Sequence, residues 1–263
     1  MTATPADPAP NTLPENAHPA PRPAAPGTDP DRDALPEVLA FDVFGTVVDW
    51  HGSIVREVSA LRLPVSPTQF ATAWRAGYRP AMARVRSGEL GWTKIDDLHR
   101  MILDDILRDF GLDDMDESLR QHLNRVWHRL DPWPDTVEGL TRLKSKFKIC
   151  TLSNGNLGLL ANMAKRAALP WDLILSAEVF RHYKPDPETY LGVCGIFDIP
   201  PERMMLVAAH QDDLAAARAC GCRAAYIERP YEFGVTLPKD VSPDPANDYH
   251  ATNLIDLATQ LGC

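Results

Sequence analysis

The chain has 263 residues, 44% of them hydrophobic, and a formal net charge of -9. That is enough apolar material for one α/β domain with an insertion, or for two small domains. The acidic balance, without any Lys/Arg cluster, excludes a nucleic-acid footprint and leaves a small-molecule substrate. No apolar stretch approaches the roughly 20 residues that span a bilayer. The five cysteines, Cys150, Cys194, Cys220, Cys222 and Cys263, are odd in number and lack paired metal or redox spacing. They read as packed or surface thiols in a reducing, cytoplasmic compartment.

Residues 1–36 hold ten prolines among Ala, Asp and Asn, with neither a basic start nor an apolar core. They fit no secretory signal and read as a disordered tail, or as translation from upstream of the true start. The first patterned stretch, Val38 to Phe44, is apolar, β-branched and aromatic, holds a single carboxylate at Asp42, and is closed by Gly45-Thr46. It predicts a buried strand feeding a turn. At the carboxyl end of such a strand, Asp42 is a candidate nucleophile, metal ligand or general base.

Gly52 to Leu61 predicts a helix. The next 70 or so residues contain no good strand. Three segments, Thr68 to Arg86, Lys94 to Phe110 and Glu117 to Leu130, are apolar at intervals of three and four, which predicts an all-helical insertion. His99 and His128 read as surface residues of that insertion, and Trp92 as part of its core or of a pocket wall. From Trp133 strands and helices alternate. Helices are predicted at Thr136 to Lys144, Asn156 to Arg166, Pro187 to Cys194 and Asp213 to Cys220. Strands are predicted at Phe147 to Leu152, Trp171 to Leu175, Met204 to Ala208 and Ala224 to Ile227. This order implies a doubly wound parallel sheet, with a core over 37–50 and 132–263 and a helical cap over 51–131. Ligands bind such sheets at the strands' carboxyl ends. There the sequence places Asp42, Ser153-Asn154, and His210 with Asp212-Asp213, while Lys184-Pro185 lies between the third and fourth strands.

In that order, Asp42-Val43-Phe44-Gly45-Thr46, Leu152-Ser153-Asn154, Lys184-Pro185 and Asp213 resemble the four signatures of the haloacid dehalogenase superfamily, and within it the type II L-2-haloacid dehalogenases. The resemblance runs from about Val38 to Leu261. It implies that Asp42 attacks C2 of a short (S)-2-haloalkanoic acid with inversion, forming an ester that water opens at the Asp42 carbonyl carbon to release the (R)-2-hydroxy acid. By the same resemblance Lys184 holds Asp42 ionised, and Thr46 hydrogen-bonds beside it. Arg75 of Trp74-Arg75 faces the substrate carboxylate and departing halide; Arg79, four residues on along the same helical face, competes for that role or is simply exposed. Ser153 and Asn154 bind the carboxylate or an oxyanion at Asp42. Tyr190 orients Lys184 or lines the pocket, and Phe44 is a wall or plain packing. Asp213 or His210 activates the water, a near-neutral histidine suiting a general base. The resemblance implies no metal and no other cofactor, and a homodimer by analogy with paired caps.

The superfamily is mostly Mg²⁺-dependent phosphatases, so a phosphatase stands as the alternative. A phosphatase of this type has a second Asp two residues after the nucleophile to protonate the leaving alkoxide, and acidic Mg²⁺ ligands in the fourth signature. Here those positions hold Phe44 and Ala209, although Asp212 and Asp213 remain. A hydrolase of another 2-substituted carboxylic acid, such as a strained ring, and a non-catalytic binding protein are the other readings.

Overall fold

The computed structural model describes residues 35–263; the tail expected over residues 1–36 lies, except for its last two residues, outside them. The core is built on β1 (Val38–Phe41), whose alternate side chains are buried on both faces: Leu39 and Phe41 join one apolar cluster, Val38 and Ala40 the other. A strand buried on both sides has no reason to alternate in polarity, which is why β1 is a continuous apolar run. It ends one residue before Asp42, shorter than the Val38 to Phe44 strand predicted.

The chain then runs through β2 (Val48–Asp49), α1 (Trp50–Ala60), α2 (Pro67–Ala76), α3 (Tyr78–Arg86), α4 (Ile95–Asp109), α5 (Glu117–Asn124) and β3 (Asp131–Pro132). Strands β2 and β3 pair antiparallel, so the helical excursion leaves and re-enters the core at one neck. The segment predicted as one helix over Thr68 to Arg86 is two helices, broken at Gly77. Pro80 accounts for the break. In a continuous helix it would lack the N–H that bonds to the Ala76 carbonyl, and its ring would collide with that carbonyl; in the first turn of α3 neither matters. Glu117 to Leu130 likewise divides into α5 and a short 3-10 turn, Arg125–Arg129.

After the neck follow α6 (Thr136–Lys144), β4 (Lys148–Ser153), α7 (Leu157–Ala167), β5 (Leu173–Ser176), α8 (Ala177–Phe180), α9 (Pro187–Phe197), β6 (Met204–Ala208), α10 (Gln211–Ala219), β7 (Arg223–Ile227), β8 (Tyr249–Ala251) and α11 (Leu254–Gln260). The six-stranded sheet has the order β5-β4-β1-β6-β7-β8, with every neighbouring pair parallel. β1 is central, and the chain visits β4 and β5 on one side of it before β6 and β7 on the other. The crevice therefore opens above β1, at the point where the strand order reverses. Among the described residues no helix is long and apolar enough to cross a membrane. The sequence reading missed β8, which is three residues long, and α11, although Leu254, Leu257, Ala258 and Leu261 recur there at three and four.

Two surface assignments are corrected. His99 is 1% exposed and stacks on Trp127 with ring centroids 4.0 Å apart. His128 is buried between Asp96 (2.9 Å) and Asn162 (2.9 Å). His99 lies four residues after Ile95 and four before Leu103, inside the apolar stripe of α4, and His128 lies in the 3-10 turn, where the α-helical period does not apply. Trp92 is half-buried and stacks on Tyr183, with ring centroids 4.9 Å apart.

Helices α6 and α11 pack closely at Gly139. A Cβ built at Gly139 would lie 2.5 Å from Leu254 Cβ and 2.7 Å from its carbonyl carbon. Gly139→Ala is expected to lower stability by roughly 1–3 kcal/mol, as over-packing of a closed contact does. Denaturant midpoints of the two proteins measure it.

Candidate active site

The residue after β1, Asp42, is 8% exposed at the floor of a cavity of about 380 Å³ between sheet and cap. Its main-chain N–H donates to the Val207 carbonyl (3.0 Å), which continues the ladder with β6 by one rung. One carboxylate oxygen, Oδ1, accepts from Lys184 Nζ at 3.0 Å. The other, Oδ2, accepts from Thr46 Oγ1 at 2.7 Å and meets His210 Nδ1 at 3.2 Å. Burial pushes the Asp42 carboxyl up, but the Lys184 ammonium, His210 and the Thr46 hydroxyl outweigh it and hold the group well below the usual carboxylate range.

Each partner is fixed from behind. Thr46 Oγ1 accepts the Ala209 N–H at 2.9 Å, and Arg229 Nε donates to the Thr46 carbonyl at 2.9 Å while gripping Asp135 through both terminal nitrogens. Lys184 precedes a cis peptide to Pro185, and its main-chain N–H donates to Asn154 Oδ1 at 2.8 Å. Its ammonium also donates to Asp213 Oδ2 at 2.5 Å, and Tyr190 donates to Asp213 Oδ1 at 2.6 Å. Lys184 therefore bridges two carboxylates, and despite burial its pKa is raised above the ordinary lysine value by Asp213 and Asp42.

The cavity is walled by Phe44 and Asn154 from the core and by Arg75 and Tyr78 from the cap. Arg75 lies at the end of α2, its guanidinium carbon 4.2 Å from the centroid of the Tyr78 ring and 5.5 Å from that of Trp50. Its Nη1 is buried and meets no hydrogen-bond partner. Arg79 is set apart from it by the break at Gly77: it is exposed and pairs with Asp212 across the cavity mouth at 2.6 Å. Arg86, one α3 end further on, pairs with Asp186 at 2.6 Å.

Of the residues read from sequence, Asp42, Phe44, Arg75, Asn154, Lys184, His210 and Asp213 reach the cavity. Three stand behind it. Thr46 touches Asp42, Ser153 is fully buried with its hydroxyl accepting the Gly155 N–H at 3.0 Å, and Tyr190 touches Asp213 rather than Lys184. His210 corrects the expectation of near-neutral basicity. Although burial lowers its pKa, the Glu232 charge and Asp42 raise it to about 9. The imidazole is thus cationic at neutral pH, with both ring nitrogens engaged.

Glu232 escaped the sequence reading altogether. It is fully buried, and its carboxylate meets His210 Nε2 at 2.9 Å, Trp50 Nε1 at 3.2 Å and Lys239 Nζ at 2.9 Å. Burial raises its pKa, but His210 and Lys239 bring it down to about 2. Its slot is left by Gly45, where φ is +87° and a Cβ would come within 2.3 Å of Glu232 Oε1. No motif marks Glu232. Its one signal is position, since it follows β7 at the edge of the sheet where function collects.

The displaced pKa values set the pH response. Because the folded value of His210 is raised from 6.5 to about 9, its pairing stabilises fully below about pH 6.5 and is lost as pH rises through 9. Glu232, lowered from 4.5 to about 2, contributes above pH 4.5 and loses its contribution as pH falls through 2. Stability should fall between pH 6.5 and 9.5 by on the order of 2–3 kcal/mol, at about 1.4 kcal/mol per unit of displacement. His210→Asn should flatten that alkaline slope in denaturant titrations.

With the geometry in hand, comparison with known proteins is informative. An (S)-2-haloacid dehalogenase from Burkholderia cepacia is 29% identical over 209 residues, covering 73% of this chain and 85% of that one. A crystal structure of an L-2-haloacid dehalogenase superposes with a TM-score of 0.83 at 44% identity, covering 87% of this chain and 100% of the other. A phosphoglycolate phosphatase from Neisseria meningitidis is 25% identical over 219 residues, covering 80% of this chain and 87% of that one. The family model for haloacid dehalogenase-like hydrolases matches residues 36–221, a span that runs from before Asp42 to beyond Asp213, and the chain belongs to that hydrolase family.

Proposed function

We propose that this enzyme hydrolyses the carbon–halogen bond of short (S)-2-haloalkanoic acids through an ester on Asp42, without a metal ion. The observation that carries the reading is the pairing of charges across one cavity. On its floor lies a carboxylate held ionised, and on its roof a guanidinium with a buried nitrogen that has no partner. A 2-haloalkanoate is an anion carrying an electrophilic carbon next to its carboxylate. Arg75 can take the substrate's carboxylate or the halide that departs, and Asp42 then stands below C2. Asn154 Nδ2 has only the Met82 sulfur, at 3.3 Å, as a partner. Thioether sulfur is a weak acceptor, so this donor can turn to the substrate at little cost.

Attack by Asp42 on C2 expels halide with inversion and leaves the ester; attack by water on the Asp42 carbonyl carbon then releases the (R)-2-hydroxy acid. Halide needs no proton to leave. Accordingly Phe44, two residues after the nucleophile and 3% exposed, supplies a wall and no acid. A phosphatase would need Asp42 and the fourth-signature carboxylates to share a cation. The residues do not fit one: Lys184 Nζ already occupies the space between Asp42 and Asp213. Among the described residues no group of three or more His, Cys, Asp and Glu is placed to hold a metal ion.

Purified enzyme given L- and D-2-chloropropionate and a generic phosphate ester, each with and without EDTA, tests the reading. Chloride release from the L isomer that survives chelation is expected; Mg²⁺-dependent ester hydrolysis in its place would reverse the assignment. Asp42→Ala should reduce dehalogenation by at least about 10³-fold.

A further inference from the structure

The water-attacking half of the reaction needs a base, and the two candidates are held in different ways. Asp213 has both oxygens occupied, by Lys184 at 2.5 Å and Tyr190 at 2.6 Å. Esterification of Asp42 removes neither donor, so Asp213 stays a fixed counter-ion. His210 spans two carboxylates, Asp42 through Nδ1 and Glu232 through Nε2, and esterification abolishes the charge of one of them. We infer that Glu232 is the positioning residue of the hydrolytic half-reaction, gripping His210 by Nε2 so that Nδ1, released when Asp42 becomes an ester, takes the proton of the attacking water. This rests on the proposed ester at Asp42.

The buried position of Glu232 supports the role. A carboxylate with no exposed surface is costly unless fully paired, and here Trp50, Lys239 and His210 supply its donors while the Cβ-free backbone at Gly45 makes the space. None of these contacts serves packing of an apolar kind. They fix one carboxylate oxygen against one imidazole nitrogen, on the side away from Asp42.

The two cations of the centre respond differently to esterification. Lys184 and His210 each lose one of two anionic partners when Asp42 is neutralised. An ammonium starts about four pH units more basic than an imidazolium, so Lys184 keeps its proton and His210 becomes able to lose one. The other charges facing His210 are Asp212 and Asp213 on its own helix, Lys239 beyond Glu232, and Arg79 of the cap, already committed to Asp212. Lys239 shares the Glu232 charge and so limits how strongly it holds the imidazolium.

The cycle balances. In the resting enzyme Asp42 is a carboxylate and His210 an imidazolium. Displacement makes the Asp42–C2 ester bond and breaks the carbon–halogen bond, and halide leaves with its electron pair. His210 then gives its Nδ1 proton to solvent. Neutral His210 takes a proton from water as the water oxygen bonds to the Asp42 carbonyl carbon. Collapse of the tetrahedral oxyanion breaks the ester bond at that carbon, and the new carboxyl proton passes to the departing alkoxide. Asp42 is again a carboxylate beside an imidazolium, and the net release is one halide and one proton.

Glu232→Gln separates the halves. With L-2-chloropropionate in a rapid-quench experiment, the variant should release one equivalent of chloride per site at close to the wild-type rate. It should then slow by roughly 10²-fold, with the alkanoate ester accumulating on Asp42 in the intact mass spectrum. The alkaline-rising limb of the ester hydrolysis rate should shift to lower pH, because loss of the Glu232 charge makes His210 less basic. His210→Gln should release its one equivalent of chloride more slowly than wild type, because Asp42 loses a charged partner, yet should still trap the ester, and it keeps the test open if Glu232→Gln does not fold. Burst and steady state that fall together without trapped ester, or a Glu232→Gln that turns over as fast as wild type, overturn the inference alone. Wild-type enzyme that releases no chloride overturns the proposed function and the inference with it.

Discussion

The structure depends on one interaction, the largely buried ion pair between Lys184 and Asp42 at the end of the central strand. A lone charge at that depth would neutralise itself by shifting its pKa. What keeps Asp42 ionised is that opposite charge is brought to it by segments following strands on either side of β1: Lys184 from the turn before α9, and His210 from the start of α10. The nucleophile is prepared by tertiary structure, with β1 contributing only its address.

The charges around it form a closed set. Asp42, Asp213 and Glu232 are matched by Lys184, His210 and Lys239, each anion contacting at least one of these cations. Arg79 and Arg86 at the mouth are likewise matched by Asp212 and Asp186. Among the described residues Arg75 meets no carboxylate, which leaves the cavity with one uncompensated positive charge. An empty site of that kind favours a monoanion, and it does so without the long-range field that would attract polyanions, since the whole chain is acidic.

The cap contributes through a defect in its own helix. Had α2 and α3 been continuous, Arg75 and Arg79 would have shared one face and competed for the anion. Across the interruption at Gly77, Arg75 lies over Tyr78 and Trp50, while Arg79 is exposed and pairs with Asp212. Behind Arg75, the rings of Trp50, Trp74, Tyr78, His99 and Trp127 pack as a continuous aromatic cluster. This cluster makes the roof stiff and apolar, so the guanidinium is held with little freedom. The exposed ion pairs at the mouth add little stability by comparison, as solvent screens them.

The sequence by itself determined the layered core, the insertion after the first strand and the identity of Asp42, Lys184 and Asp213. The core, the insertion and the placing of Asp42 and Asp213 follow from local pattern, namely a two-sided apolar strand, helical periods of three and four and polar residues at strand ends; Lys184 was marked by resemblance to a family signature. It could not determine the division of α2 from α3 without weighing a single proline against a long period. β8 is too short to carry a period, while α11 carries one, Leu254, Leu257, Ala258 and Leu261, that went unread. The burial of His99 and His128 depended on which element lay opposite. Only the tertiary structure decided the charge on His210, the attachment of Tyr190 to Asp213 and the presence of Glu232. The physical reason is that protonation and partner choice depend on Coulomb interactions over a few ångströms between groups far apart in sequence, such as His210 with Asp42, 168 residues apart, and Trp50 with Glu232, 182 residues apart. Separations of that order leave no trace in any local window of the chain.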